Sequence, residues 1–216
     1  MSDQEILDCI KTGDPIRAKR LLSENKSLAK TDADGVSALL LSVYYGAEEI
    51  QSELETALGD ELNIQEAAAV GNLNLLQQRL AENPAQINEF SNDGYFPLGY
   101  ACFFGRPECV RLLLDQGANV NQHANNPQRV APIHAACANG NLEIVKMIIE
   151  AGADVNSQQA NGFRPLHTAA SENKTEIAQM LLNAGADPTL DDDFGTTPAQ
   201  MAEQKGHAEM AKLLGG

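Results

Sequence analysis

The chain has 216 residues, 43% of them hydrophobic and 21% charged, and its 30 acidic side chains outnumber 15 basic ones for a formal charge of −15. That balance disfavours direct binding of nucleic acid or anionic membrane, because phosphate binding draws on clustered Lys and Arg; it suits a solvated, extended surface or a basic partner. No run approaches the ~18 apolar residues of a membrane span, and neither a basic region nor a long apolar run opens the chain, so no secretory signal is expected.

In chain order, residues 1–33 read as two short helices. Ile6, Leu7 and Ile10 face inward from the first, and Ile16, Ala18, Leu21 and Leu22 offer apolar surface from the second. Asp3, Glu5, Lys11, Arg17, Lys19 and Arg20 coat the outside, as an end unit that meets water requires. Asp34-Gly35 is a turn signal. It opens a unit over 34–61, with Ser37 at the helix N-cap, Ala38 at the first helical position, and Leu39, Leu40, Val43, Ile50, Leu54 and Leu58 as its buried stripe.

A third unit, 62–93, starts at about Leu62 directly after Gly59-Asp60-Glu61, with Asp60 and Glu61 placed as cap and favourable charges at its N-terminus. Its core residues are Ile64, Ala67, Ala68, Leu73, Leu75, Leu76 and Leu80. The fourth, 94–128, uses Leu98, Ala101, Cys102, Val110, Leu112, Leu113 and Leu114. A long loop, 122–131, then carries Asn126-Pro127 and Arg129, and is expected to be distorted or mobile. Units over 129–161 and 162–194 are regular. The last, 195–216, buries Met210, Ala211, Leu213 and Leu214, exposes Glu203, Gln204, Lys205, Glu209 and Lys212, and frays at Gly215 and Gly216.

Each pair of helices is joined by a residue suited to left-handed backbone: Gly13, Gly46, Gly71, Gly105, Gly140, Asn173 and Gly206, spaced by 33, 25, 34, 35, 33 and 33 residues. Asn is the next best residue after Gly there. A period near 33 signals a stacked solenoid.

The motifs Phe96-Pro97-Leu98-Gly99-Tyr100-Ala101, Ala131-Pro132-Ile133-His134-Ala135-Ala136, Arg164-Pro165-Leu166-His167-Thr168-Ala169 and Thr197-Pro198-Ala199-Gln200-Met201-Ala202 recur in this register. So do Gly117-Ala118-Asn119-Val120-Asn121, Gly152 to Asn156, and Gly185-Ala186-Asp187-Pro188-Thr189. In these the chain resembles the ankyrin-repeat family, with its Thr-Pro-Leu-His-x-Ala signature. The resemblance is strong from Asp93 onward and weaker before. It implies one all-α domain over 1–216, an ankyrin-repeat solenoid of about seven helix-turn-helix units with short β-hairpin fingers and end units that act as caps.

Against that pattern the 25-residue spacing leaves no residues for a finger near residue 60, so a gap in the row of fingers is expected. It is either a tolerated deletion, since exposed loops accept length changes, or a notch or bend that shapes a groove.

No catalytic, cofactor or metal constellation emerges, and the chain is read as a non-enzyme. His134 and His167 lie one repeat apart; the resemblance assigns histidine at this slot to the hydrogen bonds between loop and helix. His123 and His207 look solvent-facing. Asp191-Asp192-Asp193 lacks the alternation and distal Glu of a calcium loop and reads as a solvated finger tip. Cys9, Cys102, Cys109 and Cys137 show no Cys-x-x-Cys pattern; Cys102 and Cys137 share a packing slot, which points to buried thiols and a reducing, cytoplasmic setting.

The ten aromatic side chains avoid the second helices. The resemblance places the two positions before each helix-ending glycine, and the position after the finger glycine, on the concave face. Tyr44, Tyr45, Tyr95, Phe103, Phe104 and Phe163 therefore form the candidate partner-binding patch, continuous across Ala69-Val70. The competing reading packs some of these rings into the missing finger's place, and burial of both Tyr45 and Phe103 would remove the patch. Phe96 and Tyr100 are expected to be partly buried.

The function read from this is a monomeric protein–protein interaction module that holds another protein, a basic one by charge, steered by Asp32, Asp34, Asp93 and Asp191 to Asp193. The alternative is a regulatory subunit or inhibitor that occludes an enzyme or a basic surface; an enzyme with an unrecognised site is the third reading.

Overall fold

The computed structural model describes residues 3–215 and contains fourteen α-helices, paired as seven antiparallel hairpins. The pairs are α1 (Asp3–Thr12) with α2 (Pro15–Glu24), α3 (Ala38–Tyr44) with α4 (Glu48–Leu58), α5 (Ile64–Val70) with α6 (Leu73–Glu82), and α7 (Pro97–Phe103) with α8 (Pro107–Asp115). They continue as α9 (Pro132–Asn139) with α10 (Leu142–Glu150), α11 (Pro165–Ser171) with α12 (Thr175–Asn183), and α13 (Pro198–Gln204) with α14 (Ala208–Gly215). All seven turn residues have positive φ, including Asn173 at 55°.

One continuous apolar core runs from Ile6 to Leu214. Each hairpin is too thin to bury its own apolar stripe, so stacking on its neighbours supplies the other wall. A repeated bond locks the stack. The residue after the turn, or just before it, donates to the end of the preceding first helix: Arg106 Nε to Ala69 O (2.9 Å), Asn139 Nδ2 to Phe103 O (3.0 Å), Lys174 Nζ to Cys137 O (3.0 Å) and His207 Nε2 to Ser171 O (3.1 Å). These donors satisfy carbonyls that a helix C-terminus leaves without an internal partner.

Among the described residues one finger is a β-hairpin, β1 (Asp32–Ala33) antiparallel to β2 (Val36–Ser37), with Asp32 opposite Ser37. The others are turns closed at the base by a backbone bond, such as Ser91 N to Tyr95 O (2.8 Å) and Gln159 N to Phe163 O (2.9 Å). The 122–131 finger closes two residues wider, Ala124 N to Val130 O (2.9 Å), with Arg129 in left-handed backbone at φ 51°; it is distorted, as expected.

No finger follows α4. Gly59–Glu61 form a single 3-10 turn and Leu62 is buried behind it. The expected gap, however, is closed: a Cβ placed on Gly35 would lie 2.9 Å from Asn92 Cβ. The fingers on either side of the deletion are in contact.

Several local expectations are corrected. Asn63 caps α5, not Asp60; its Oδ1 accepts from Glu66 N (2.8 Å) while Glu66 Oε2 accepts from Asn63 N (2.9 Å), a reciprocal box. Ile16 is 83% exposed at the start of α2, and Leu73 is exposed at the first position of α6, where the side chain leans away from the core. His123 and His207 are half-buried and bonded, not solvent-facing. Asp192 is buried, accepting from Phe194 N and Thr196 N (both 2.9 Å) to close its own finger. Gly215 belongs to α14; Gly216 lies outside the described residues.

Candidate interaction surface

Tyr44 ends α3 and Phe103 ends α7, two units further along, yet their ring centroids are 6.2 Å apart. Tyr44 also meets Phe104 edge-on at 5.1 Å, and Phe103 meets Phe104 at 5.1 Å and 82°. The unit between offers Ala69, fully buried beneath with Leu40 and Tyr100. A methyl group there leaves room for the rings on either side to close over it. The patch is thus continuous across the third unit. Edge-to-face pairs of this kind add about 0.5–1.5 kcal/mol beyond area burial.

The rings do not retreat into the space of the missing finger. Tyr44, Tyr45 and Phe103 are 40%, 54% and 45% exposed, and Tyr95, Phe104 and Phe163 are half-buried. Phe96 and Tyr100 are fully buried. Phe96 sits against Gly99, which occupies the slot held by His134 and His167 in other units; its ring lies 3.5 Å from where a Cβ of Gly99 would be.

Below the rings lies a hydrogen-bond hub that the sequence reading missed. Asp93 Oδ1 accepts from Tyr100 Oη (2.6 Å) and from Ser91 Oγ, and Asp93 Oδ2 accepts from Tyr44 Oη at 3.5 Å. Burial first, then the Asp93 carboxylate, push the Tyr100 phenol well above the ordinary tyrosine range, so it remains a donor. Asp93 is therefore committed inward and corrects its reading as a steering charge on the surface. The one signal of this in the sequence is the motif departure at Gly99-Tyr100, which puts a large phenol where other units carry Ala135 or Thr168.

Tyr44, Tyr95, Phe103 and Phe163 line one concave groove of about 310 Å³. Gly99, Tyr100, Val130, Ala135 and Ala138 also line it, with His134, Gln159, Thr168, Ser171 and Glu172 as its polar lining. Phe163 pairs with His167 (5.5 Å). Tyr45 stands apart from both the ring cluster and the groove.

The histidines are built into the scaffold. His134 Nδ1 accepts from Ala131 N (3.3 Å) and its Nε2 donates to Ser157 O (3.0 Å); His167 does the same with Arg164 N (3.2 Å) and Thr196 O (2.9 Å). Burial holds the imidazolium of His134 down, to about 4, and lowers that of His167. Each ring ties a helix start to the following finger, as the resemblance implied. All four thiols are buried and unpaired. Among the described residues no cluster of three His, Cys, Asp or Glu side chains has the arrangement of a metal site, and no helix is long and apolar enough to cross a membrane.

A family model described as ankyrin repeats, three copies, matches residues 64–159 and 133–215. Among curated proteins, the chain is 30% identical over 115 residues to a transient receptor potential cation channel subfamily A member 1 homolog of Caenorhabditis elegans, covering 52% of this chain and 9% of the relative. It is 31% identical over 107 residues to the BTB/POZ domain and ankyrin repeat-containing protein NPR3 of Oryza sativa, covering 50% and 16%. It is 45% identical over 58 residues to cortactin-binding protein 2 of Plecturocebus moloch, covering 27% and 4%. The chain thus spans less than a fifth of the length of each of these relatives.

Proposed function

The chain belongs to the ankyrin-repeat family, and from that premise we propose that it is a non-catalytic protein-binding module whose partner seats on the concave face at Tyr44, Tyr45, Tyr95, Phe103, Phe104 and Phe163 and on the adjoining fingers. Ankyrin repeats are generally protein–protein interaction modules. The observation that carries the reading is the ring cluster of exposed Tyr44 and Phe103 with half-buried Phe104, beside a mainly apolar groove. Contiguous exposed apolar surface on a soluble chain commonly marks an interaction site, and buried aromatic anchors dominate interface energetics.

The physical basis of binding is preorganisation. The rings are held by one another and, for Tyr44, by Asp93, so little ordering entropy is lost when a partner arrives. The formal charge of −15 favours a basic partner and a salt-sensitive association rate. Four buried, unpaired cysteines suit a reducing compartment, and we place the protein in the cytoplasm as a monomer.

The test is affinity capture from host lysate with mass-spectrometric identification, comparing wild type with a quadruple alanine variant of Tyr44, Tyr45, Phe103 and Phe104 whose circular dichroism and melting match wild type. A partner held by wild type and lost by the variant is the expected result. A partner held equally by both overturns the assignment of this face.

A further inference from the structure

Phe103 lines two hollows, not one. On one side is the mainly apolar groove of about 310 Å³; on the other is a hollow of about 520 Å³ lined by Glu48, Gln51, Glu55, Phe104, Arg106 and Asn139 among others. Phe103 is shared by both hollows, and Phe104, 5.1 Å from it between centroids, lines the second. The two sides differ in chemistry: the first is mainly rings and small aliphatic groups, with Gln159, Ser171 and Glu172 among its polar lining, and the second is mainly polar, with Glu48, Glu55 and Arg106.

Glu48 is exposed in the first turn of α4, and Glu55 accepts from Gln51 Nε2 (2.7 Å). Neither has an ion-pair partner among the described residues, whereas Glu53 and Glu61 nearby are paired with Lys19 and Lys30. Arg106 also lines the hollow; its Nε donates to Ala69 O (2.9 Å) and its guanidinium keeps its charge, so two carboxylates stand against one cation there. The field of the whole chain has the same sign as these carboxylates.

We infer that this double hollow recognises a linear segment of a partner protein that carries an apolar or aromatic side chain closely followed or preceded by Lys or Arg, the apolar group entering the groove at Tyr44, Tyr95 and Phe103 and the cation passing Phe103 to reach Glu48 and Glu55. The inference rests on the concave-face reading above and specifies its partner's chemistry. An extended chain advances about 3.3 Å per residue, so about two or three residues span the Phe103–Phe104 ring pair. Charge complementarity selects the cation, since the two carboxylates outnumber the single Arg106 guanidinium and the field of the chain has their sign.

A phage-displayed library of short random peptides, panned against the full chain, tests this. Enriched sequences are expected to pair an apolar residue with Lys or Arg at that spacing. A synthetic peptide of the enriched sequence should lose about 30-fold in affinity on Phe103→Ala. It should lose about tenfold on the double change Glu48→Gln and Glu55→Gln at low salt, and much less at high salt. Both variants are first checked for wild-type melting. Peptides weakened by Phe103→Ala but indifferent to the glutamate changes overturn the inference and leave the concave-face reading standing. Peptides indifferent to Phe103→Ala, whatever the glutamate changes do, also overturn the inference, and the capture experiment then decides the concave-face reading. Absence of enrichment overturns the inference alone, because the capture experiment tests the broader reading with folded partners.

Discussion

A histidine that bridges a helix start and a finger works only as the neutral ring, because Nδ1 must accept while Nε2 donates. His134 meets that condition at 2% exposure, between Ala131 N and Ser157 O. Its folded value of about 4 lies below the ~6.5 of an exposed histidine. The unfolded chain therefore binds the extra proton first. The stabilisation is complete above about pH 6.5 and is lost as pH falls toward 4, amounting to roughly 3 kcal/mol for this ring. Urea unfolding near pH 7 and near pH 4.5 should show wild type losing more stability than His134→Gln, which starts lower. His167 moves in the same direction, so part of the acid loss persists in the variant. Equal losses in the two proteins would remove His134 from this role.

At the scale of the finger, backbone conformation decides. Gly94 has φ 83°, and a Cβ there would lie 2.5 Å from Asn125 O, because the next finger docks on it through Asn125 N to Gly94 O (2.8 Å). One finger further on, Arg129 takes the same left-handed region with an exposed side chain that holds a Cβ where none is favoured. Arg129→Gly should raise stability by about 0.5–1 kcal/mol, the relief at φ 51° exceeding the added freedom of the unfolded chain. A thermal-shift comparison reads this directly, and a lower melting temperature would contradict it. The same scale explains why one finger could vanish. Asn63 and Glu66 satisfy the start of α5 between themselves, so the helix needs no preceding loop to cap it.

Over the whole molecule, one core without a central layer means that every unit relies on its neighbours. The thiols report on that continuity. Cys102 and Cys137 are fully buried in successive first helices; burial pushes the Cys137 thiol to about 12 and Cys109 to about 11. Thiolates are the reactive form, so all four cysteines should resist a thiol reagent in the native protein and react together in denaturant. Fast labelling of one thiol in native buffer would show that its end of the stack opens independently.

The local grammar of this chain was legible before any coordinates. Turn residues from Gly13 to Gly206, the proline-led first helices, the apolar stripes of the second helices and the missing finger all depend on the conformational preferences of residues within a turn or two of one another. The exposure of Tyr45 and Phe103 followed from their place in the repeat. What only the tertiary structure decided is how far one unit leans on the next. Deleting a finger sets a chain length and leaves the angle between helix pairs open. In the folded chain Leu40, Ala69 and Tyr100 share one cluster, Gly35 lies against Asn92, Tyr44 against Phe103, and the hydroxyls of Tyr44 and Tyr100 reach Asp93. The groove and its acidic neighbour draw on side chains two or more repeats apart, whose meeting is set by tertiary packing and leaves no mark in their spacing.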